Sequence, residues 1–373
     1  MLGIDLTQLP GPAQKILGPG APPPARMMAA KGIVPGLKPG DLVTVVVALT
    51  AADDAKVADA ARETLGKLPP PVLAGALSAE LQAPVVERLS DVYSGSAEVV
   101  EKLLRQANIG GAALELLADR ADERIGELIA TNEQALLANP TVIEKLYMNK
   151  RVRMSTADRL LELAVRNGLE LKLAAFKEAA AAIKNELIPE PSEEPSPDDV
   201  LFAETDALAQ DNEIESEEDD THSVDEEGEE QLKDKFLPLY AQIAQMTVSQ
   251  KIRRAQVGTA SERLLLVRDT NRLVAAAAVK SPAMRENEAV IISSNRAVSE
   301  EVLREIARNR EFTRNYQVKL NLVRNPRCPF TFASGLITQL RDNELREIAK
   351  SKNVPSAVQA AARNQLERKQ KGK

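Results

Sequence analysis

An internal repeat is the feature of this 373-residue sequence that most limits how it can fold. The five residues LREIA at 303–307 recur 42 positions later at 345–349, and more loosely, as LLELA, at 160–164. In each copy the first, fourth and fifth residues are apolar, and these positions share one face of an α-helix. A repeat of this kind predicts a stack of similar helical units and not a single globular core.

A proline precedes each copy at a nearly constant distance. Pro140, Pro282 and Pro326 lie 20, 21 and 19 residues before the first leucine of the motif, and the last two prolines are 44 residues apart. Because proline pushes the preceding residue away from helical angles, each one ends a helix and can begin the next. The sequence therefore predicts an all-α fold, an α-solenoid of short helices in units of about 42–44 residues.

Local signals agree with helices throughout. Aromatic residues make up only 3% of the chain and tryptophan is absent, so its core must come from small and branched aliphatic side chains. The run LVTVVVAL at 42–49 has a strand-like composition, but its helical surroundings and a capping role for Asp41 predict a buried helix. Thr259 and Glu262 have the spacing of a capping box, which predicts a helix start at that point.

Charge divides the chain into blocks. Residues 1–187 carry a net charge of −2, residues 188–231 carry −19 without one basic side chain, and residues 232–373 carry +14. The middle block is also rich in Pro and Ser, which predicts a disordered acidic linker or insert. We expect a Pro/Gly-rich arm or cap at 1–40, helical repeats at 41–187, the acidic block at 188–231, and basic helical repeats at 232–373.

Two arrangements of the repeats fit this division. The acidic block can interrupt one solenoid, in which case residues 169–187 and 232–256 form adjacent helices joined by a long loop, at little entropic cost. Alternatively, the block is a tether between two separate solenoid domains.

An apolar island lies inside the acidic block. It consists of Val200, Leu201, Phe202 and Leu208, and it has the composition of a short linear motif that docks as a helix in the groove of a partner protein. The opposite charges of neighbouring blocks suggest a second hypothesis, in which the acidic block folds back over the basic one and competes with an external anionic ligand.

The basic block contains the other candidate binding residues. These are Lys251, Arg253, Arg254, Arg308, Arg310, Arg314 and Lys319. Such side chains attract the phosphates of nucleic acids or an anionic lipid surface, although exposed basic side chains on helices often serve solubility alone.

Residue usage argues against several kinds of chemistry. The chain has one cysteine, Cys328, and one histidine, His222, which lies in the acidic block. Neither a zinc site nor a Ser-His-Asp triad is expected from this inventory, and no phosphate-binding glycine motif occurs. We therefore expect no catalytic, cofactor-binding or metal-binding residues. With no secretory signal and no long apolar stretch, we also expect a soluble, cytoplasmic protein without a transmembrane segment.

The proline breaks and the Leu-x-Glu-Ile-Ala helices resemble those of HEAT-like and leucine-rich-repeat-variant α-solenoids, over about residues 80–187 and 232–370. The resemblance implies a curved helical array that binds other proteins. It carries no catalytic residues, and the partners it implies are not identified. A non-enzymatic protein-interaction scaffold is thus the expected function, and binding of nucleic acid or an anionic surface by the basic half is the alternative.

Overall fold

The computed structural model describes residues 3–184, 186, 188, 190–192, 194–213, 221–224 and 230–371. These residues form short α-helices that pack against their neighbours along the chain, and this confirms the predicted all-α fold class. Contacts divide the chain into two compact units, Met1–Leu171 and Lys172–Lys373. The acidic block 188–231 consequently belongs to the second unit.

The first unit begins with a single 3-10 turn at Leu6–Gln8. Its α-helices in the described residues are α1 Gly11–Leu17, α2 Pro23–Ala30, α3 Pro39–Leu49, α4 Ala55–Gly66, α5 Pro70–Leu77, α6 Ala83–Val92, α7 Ala97–Leu104, α8 Gly111–Arg120, α9 Glu123–Ala130, α10 Glu133–Ala138, α11 Pro140–Met148 and α12 Met154–Arg166. Six of these helices have proline in their first turn, where the missing amide hydrogen costs no hydrogen bond.

Helix α3 is the inner helix of the first unit and confirms the buried helix predicted for LVTVVVAL. It packs against α1, α2, α4, α5 and α6, and its residues from Val43 to Leu49 are all buried. The N-cap is Lys38, and Asp41 lies in the first turn, where a carboxylate is favoured by the helix dipole. Tertiary burial thus overrides the β preference of the valines.

The remaining helices of the first unit form two rows in which every second helix is a neighbour. One row is α3, α6, α8 and α11, and the other is α5, α7, α9 and α12. Helices of one row also contact the helices next to them in sequence, such as α8 with α9 and α11 with α12. This two-row stacking is the packing expected of a helical-repeat architecture.

The second unit repeats this organisation. Its α-helices in the described residues are α13 Phe176–Ile183, α14 Pro197–Asp211, α15 Leu237–Gln245, α16 Val248–Val257, α17 Ala260–Leu266, α18 Arg272–Val279, α19 Glu286–Ser294, α20 Glu300–Arg308, α21 Tyr316–Arg324, α22 Phe330–Ile337, α23 Asp342–Lys350 and α24 Ser356–Lys371. Single 3-10 turns lie at Asp234–Phe236 and Phe312–Arg314.

Helix α13 packs against α16 and α18. This confirms the prediction that residues 169–187 and 232–256 contribute adjacent helices on either side of the acidic block. The rows of this unit are α16, α18 and α20 on one side and α17, α19 and α21 on the other.

Part of the acidic block has regular structure, although its composition predicts none between 188 and 231. Residues 197–211 form α14, and the strands β1 His222–Val224 and β2 Glu230–Leu232 pair in an antiparallel hairpin. The part of the block at 214–220 and 225–229, for which disorder is also predicted, lies outside the described residues. The reason for the difference is that α14 gains an apolar contact from the unit on which it packs.

The structural repeat is shorter than the predicted 42–44 residues. Helices α6, α8 and α11 begin at 83, 111 and 140, so neighbours in this row start 28 and 29 residues apart. Helices α17, α19 and α21 begin at 260, 286 and 316, with spacings of 26 and 30. One repeat therefore contains two helices.

The sequence motif obscures this period because its copies lie on helices that are not equivalent. LREIA occurs on α20 and on α23, which start 42 residues apart with α21 and α22 between them. That distance covers three helices, or one and a half repeats. Pro140 begins α11 as predicted, whereas Pro282 and Pro326 follow the ends of α18 and α21 and lie in turns.

Buried side-chain amides connect successive repeats in both units. The Asn149 Nδ2 donates to the carbonyl oxygens of Ala118 and Ala121, at 3.1 and 2.8 Å. The Asn325 Nδ2 donates in the same way to Ser293 and Asn295, at 3.0 and 2.8 Å. Each amide satisfies carbonyl groups at the end of a helix one repeat earlier, which would otherwise lack a donor. A further amide, that of Gln106, makes the equivalent pair of bonds to the carbonyls of Leu77 and Ala79.

Candidate functional site

Helix α14 is an acidic helix with one buried face. Ser196 caps it, and the Asp199 carboxylate completes a capping box by accepting from the Ser196 main-chain amide at 2.9 Å. The buried residues Asp199, Phe202, Thr205 and Ala209 share the face that meets the rest of the second unit. Of the predicted docking motif, Phe202 is buried, Leu201 and Leu208 are partly buried, and Val200 is exposed.

Phe202 lies against two arginines of α16. The guanidinium carbons of Arg253 and Arg254 are 5.0 and 4.9 Å from the centroid of the Phe202 ring. Both arginines are 0% exposed, so water does not weaken the attraction between their charge and the face of the ring. The predicted docking residue and two of the predicted basic residues therefore meet within one chain.

A carboxylate of the same helix completes the contact. Asp206 lies four residues after Phe202, on the same side of α14, and its Oδ1 accepts hydrogen bonds from both terminal nitrogens of Arg254 at 3.0 Å. At the far end of α14 the Ser261 hydroxyl donates to the Asn212 carbonyl oxygen at 2.6 Å. One aromatic ring and one carboxylate thus attach the acidic helix to α16, and a hydroxyl holds its end to α17.

Arg254 is held from its other side by Glu262 of α17. The Arg254 Nε donates to Glu262 Oε1 at 2.6 Å, and the side chains of both residues are 0% exposed. Glu262 also accepts from the Thr259 amide at 2.7 Å, which confirms the predicted capping box. Burial raises the pKa of the Glu262 carboxyl, and the neighbouring Arg254 charge acts in the opposite direction. We call Arg253, Arg254 and Glu262 the arginine site.

The packing around this site leaves no spare volume. A Cβ atom added to Gly258, between α16 and α17, would lie 2.4 Å from Glu262 Oε2 and 2.5 Å from the Arg254 carbonyl oxygen. Both distances are far below a normal contact, and the second atom belongs to the main chain, which cannot rotate away. The close approach of α16 and α17 at Gly258 therefore fixes the position of Glu262 relative to Arg254.

Further buried ion pairs surround the arginine site. Arg263 of α17 and Glu288 of α19 form two bonds, Nε to Oε2 at 2.8 Å and Nη2 to Oε1 at 2.9 Å. Lys251 of α16 contacts Asp269 at 3.1 Å, and both side chains are largely buried. Lys251, Arg253 and Arg254, predicted from the sequence as an anion-binding surface, are thus covered by the protein and engaged with groups of their own chain.

The other predicted basic residues lie elsewhere in the second unit. Arg308 on α20 and Arg310 and Arg314 in the segment that follows are exposed, and Lys319 on α21 is partly buried. Arg308 contacts Glu305 at 3.3 Å, and its guanidinium carbon is 5.9 Å from the centroid of the Phe332 ring. The structure therefore separates the seven basic residues into a buried group on α16 and a second group on α20, α21 and the segment between them.

A cavity of about 460 Å³ lies beside α15 and α17. Its lining includes Leu237 and Tyr240, which are 47% and 51% exposed, together with the polar residues Lys251, Arg268 and Asp269. Cys328 lies apart from it, and burial raises the pKa of its thiol to about 12, which keeps it protonated at neutral pH. Within the described ranges, no group of three or more His, Cys, Asp or Glu side chains is placed to hold a metal ion.

Sequence reasoning missed the carboxylates that pair with the arginines. Asp206 carries a usable signal, because it stands four residues after the only aromatic residue of the block and so shares a helical face with it. Glu262 was identified only as a capping residue, and its second role depends on how α16 and α17 approach each other. Such a pairing between helices has no fixed sequence spacing.

Comparison with protein-family models gives no match to this chain, and comparison with curated proteins gives none either. In the part of the chain that the structure describes, no helix is both long enough and apolar enough to span a lipid bilayer.

Proposed function

We propose that the chain is a protein-interaction scaffold of the HEAT-like kind, in which rows of paired helices present surfaces for partner proteins. One observation supports this most directly: the second unit already carries a short acidic helix, α14, attached through Phe202 and Asp206 to Arg254 and its neighbour. An aromatic anchor beside a charged pair is how helical surfaces commonly bind a peptide helix.

Stacked repeats suit this function for a physical reason. Each repeat contacts mainly its neighbours, so the rows extend one exposed surface without needing a closed core. Exposed apolar side chains such as Leu237 and Tyr240, at the cavity beside α15, add surface that a partner can cover.

A capture experiment tests the proposal. The tagged full chain, a version without residues 189–231, and a control in which those residues are replaced by Gly/Ser of equal length are used to capture proteins from the cells that make the chain. We expect defined partners on the full chain, and a different yield on the two altered versions if the acidic block takes part. Capture by all three that does not exceed capture by the tag alone contradicts the scaffold proposal.

The alternative, binding of nucleic acid or another anionic surface, is favoured by the exposure of Arg308, Arg310 and Arg314. Its test is the binding of a labelled DNA or RNA oligonucleotide at rising salt, since phosphate contacts weaken steeply as ionic strength increases. Replacement of the three arginines by alanine should then remove most of the binding. Binding that persists after this replacement contradicts a role for these residues.

A further inference from the structure

The arginine site has the properties of a docking surface and not only of a core contact. Arg254 receives Glu262 from α17, and Glu262 is in turn fixed by Thr259 of the same cap, so α16 and α17 alone hold one side of the guanidinium in place. The terminal nitrogens of Arg254, and the guanidinium planes of both arginines, face α14. A positively charged surface is therefore already oriented for an occupant.

The occupant makes few contacts for a helix of fifteen residues. Two of its four buried residues, Asp199 and Thr205, make local bonds within or just before α14 itself, to Ser196 and to the Leu201 carbonyl. Recognition of the arginine site thus depends on Phe202 and Asp206. Thirteen residues, 184–196, connect α14 to α13, so departure of α14 need not unfold the rows beneath it.

Charge restricts what else can bind there. The two buried arginines need a carboxylate to offset their desolvation, and only one of them receives Glu262 on the inner side in the contacts described above. A basic or neutral helix would leave Arg254 without the two hydrogen bonds that Asp206 now accepts. An acidic helix with a correctly spaced ring reproduces both contacts.

We infer that the arginine site is a docking surface for an acidic helix of a partner protein, which presents an aromatic ring and a carboxylate four residues later. Helix α14 is the chain's own occupant of this surface and competes with the partner. The inference rests on the proposed scaffold function and adds to it the class of partner and the means of control. Because α14 is tethered, its effective concentration is about millimolar, and a partner must bind more tightly or arrive in high local concentration.

A labelled synthetic peptide of residues 195–213 tests the inference with full-length protein. It is titrated into the natural chain and into the variant Phe202→Ala with Asp206→Asn, in which the internal occupant is weakened. We expect at least about tenfold tighter binding to the variant, because the internal competitor masks the site in the natural chain. A peptide with alanine in place of its phenylalanine is the matched control and should bind neither chain.

Adding Arg254→Ala to the weakened variant should abolish peptide binding. If the weakened variant keeps the helical circular dichroism of the natural chain and yet binds the peptide no better than a scrambled one, the inference is overturned. A mass that rises with concentration in the weakened variant's parent chain, caused by exchange of α14 between two copies, would also overturn it, since the occupant is then a second copy of this chain.

Hydrogen exchange on the natural full chain gives a second measurement that requires no substitution. We expect the amides of α14 to exchange at least about tenfold faster than those of α16, because the occupant opens while the rows stay folded. Equal protection of the two helices would make α14 a permanent part of the unit and would overturn the inference. In that event, partner capture by the full chain can still succeed, so failure here is distinct from failure of the scaffold proposal.

Discussion

Helices α3 and α16 are the inner helices of the two units, and their compositions are opposite. Helix α3 buries an almost unbroken apolar run from Val43 to Leu49. Helix α16 buries Ile252 and Ala255 together with five polar or charged residues: Ser249, Gln250, Arg253, Arg254 and Gln256. Both helices belong to the same kind of two-row stack, so the architecture does not require either composition.

The difference shows which helix is exchangeable with its surroundings. An apolar helix is stabilised by any well-packed apolar neighbour, at roughly 25 cal/mol per Å² of buried area. A buried arginine costs several kcal/mol to remove from water and is tolerated only with specific partners at specific distances. Gln256 illustrates this, since its Nε2 donates to the Ala277 carbonyl oxygen at 2.6 Å. Helix α16 therefore selects its neighbours, including α14, by chemistry as well as by shape.

The largest effect is expected from removing the central charge of the polar helix. Arg254→Ala should lower the free energy of unfolding by about 3–5 kcal/mol, because Glu262 and Asp206 lose their buried partner. Val46→Ala in α3 is the matched variant and should cost about 2 kcal/mol, from lost burial and a small cavity. Urea denaturation followed by circular dichroism measures both, and equal losses would contradict the comparison.

A second pair of variants separates the need for partners from the need for charge. Glu288→Leu leaves Arg263 buried opposite an apolar side chain and should cost about 3 kcal/mol. The double variant Arg263→Met with Glu288→Leu should recover most of that loss, since no charge then remains unpaired. The same denaturation measurement applies. A double variant less stable than the single one would show that the charges themselves hold α17 to α19.

The amides that link the repeats should act alike in the two units. Asn325→Ala removes the donor from two carbonyl oxygens and should cost about 1–3 kcal/mol. Asn149→Ala in the first unit removes an equivalent pair of bonds, at a more accessible position, and should cost somewhat less. A loss confined to one unit would mean that the two stacks are held together differently at this point.

The smallest effect is expected from an arginine of the same unit that lies at the surface. Arg304 contacts Glu300 at 2.6 Å, one helical turn away, with 35% and 58% of the two side chains exposed. Arg304→Ala should change the free energy of unfolding by no more than about 0.5 kcal/mol, because solvent screens such a pair. A change as large as that of Arg254→Ala would remove burial as the explanation of the difference between them.

Helix type and several helix ends were predictable from the sequence because their causes are local. The Thr259–Glu262 capping box and the proline before α11 occur where the sequence places them. The run that forms α3 was identified as a buried helix from its surroundings, although its valines favour strands. The repeat length was not predictable from the motif, because two copies on helices of different position give a distance of one and a half repeats.

The candidate site was predictable only in its members. Phe202 and the arginines of α16 were identified separately, as a docking residue and as an exposed basic surface, and the structure buries them against each other. The helix around Phe202 was missed because the composition of the acidic block offers too little apolar surface to fold alone. Its stabilising surface belongs to residues about fifty positions later in the chain, at 253, 254 and 262.

The sequence by itself determined the helical class, the places where many helices begin or end, and the division of charge into −2, −19 and +14. These properties depend on periodicity, caps and composition, which act over a few residues or over whole segments. Only the tertiary structure decided that the repeat has two helices, that the arginines of α16 are inside, and that an acidic helix covers them. The physical reason is that burial and ion pairing depend on distances between helices, and a spacing along the chain does not fix those distances.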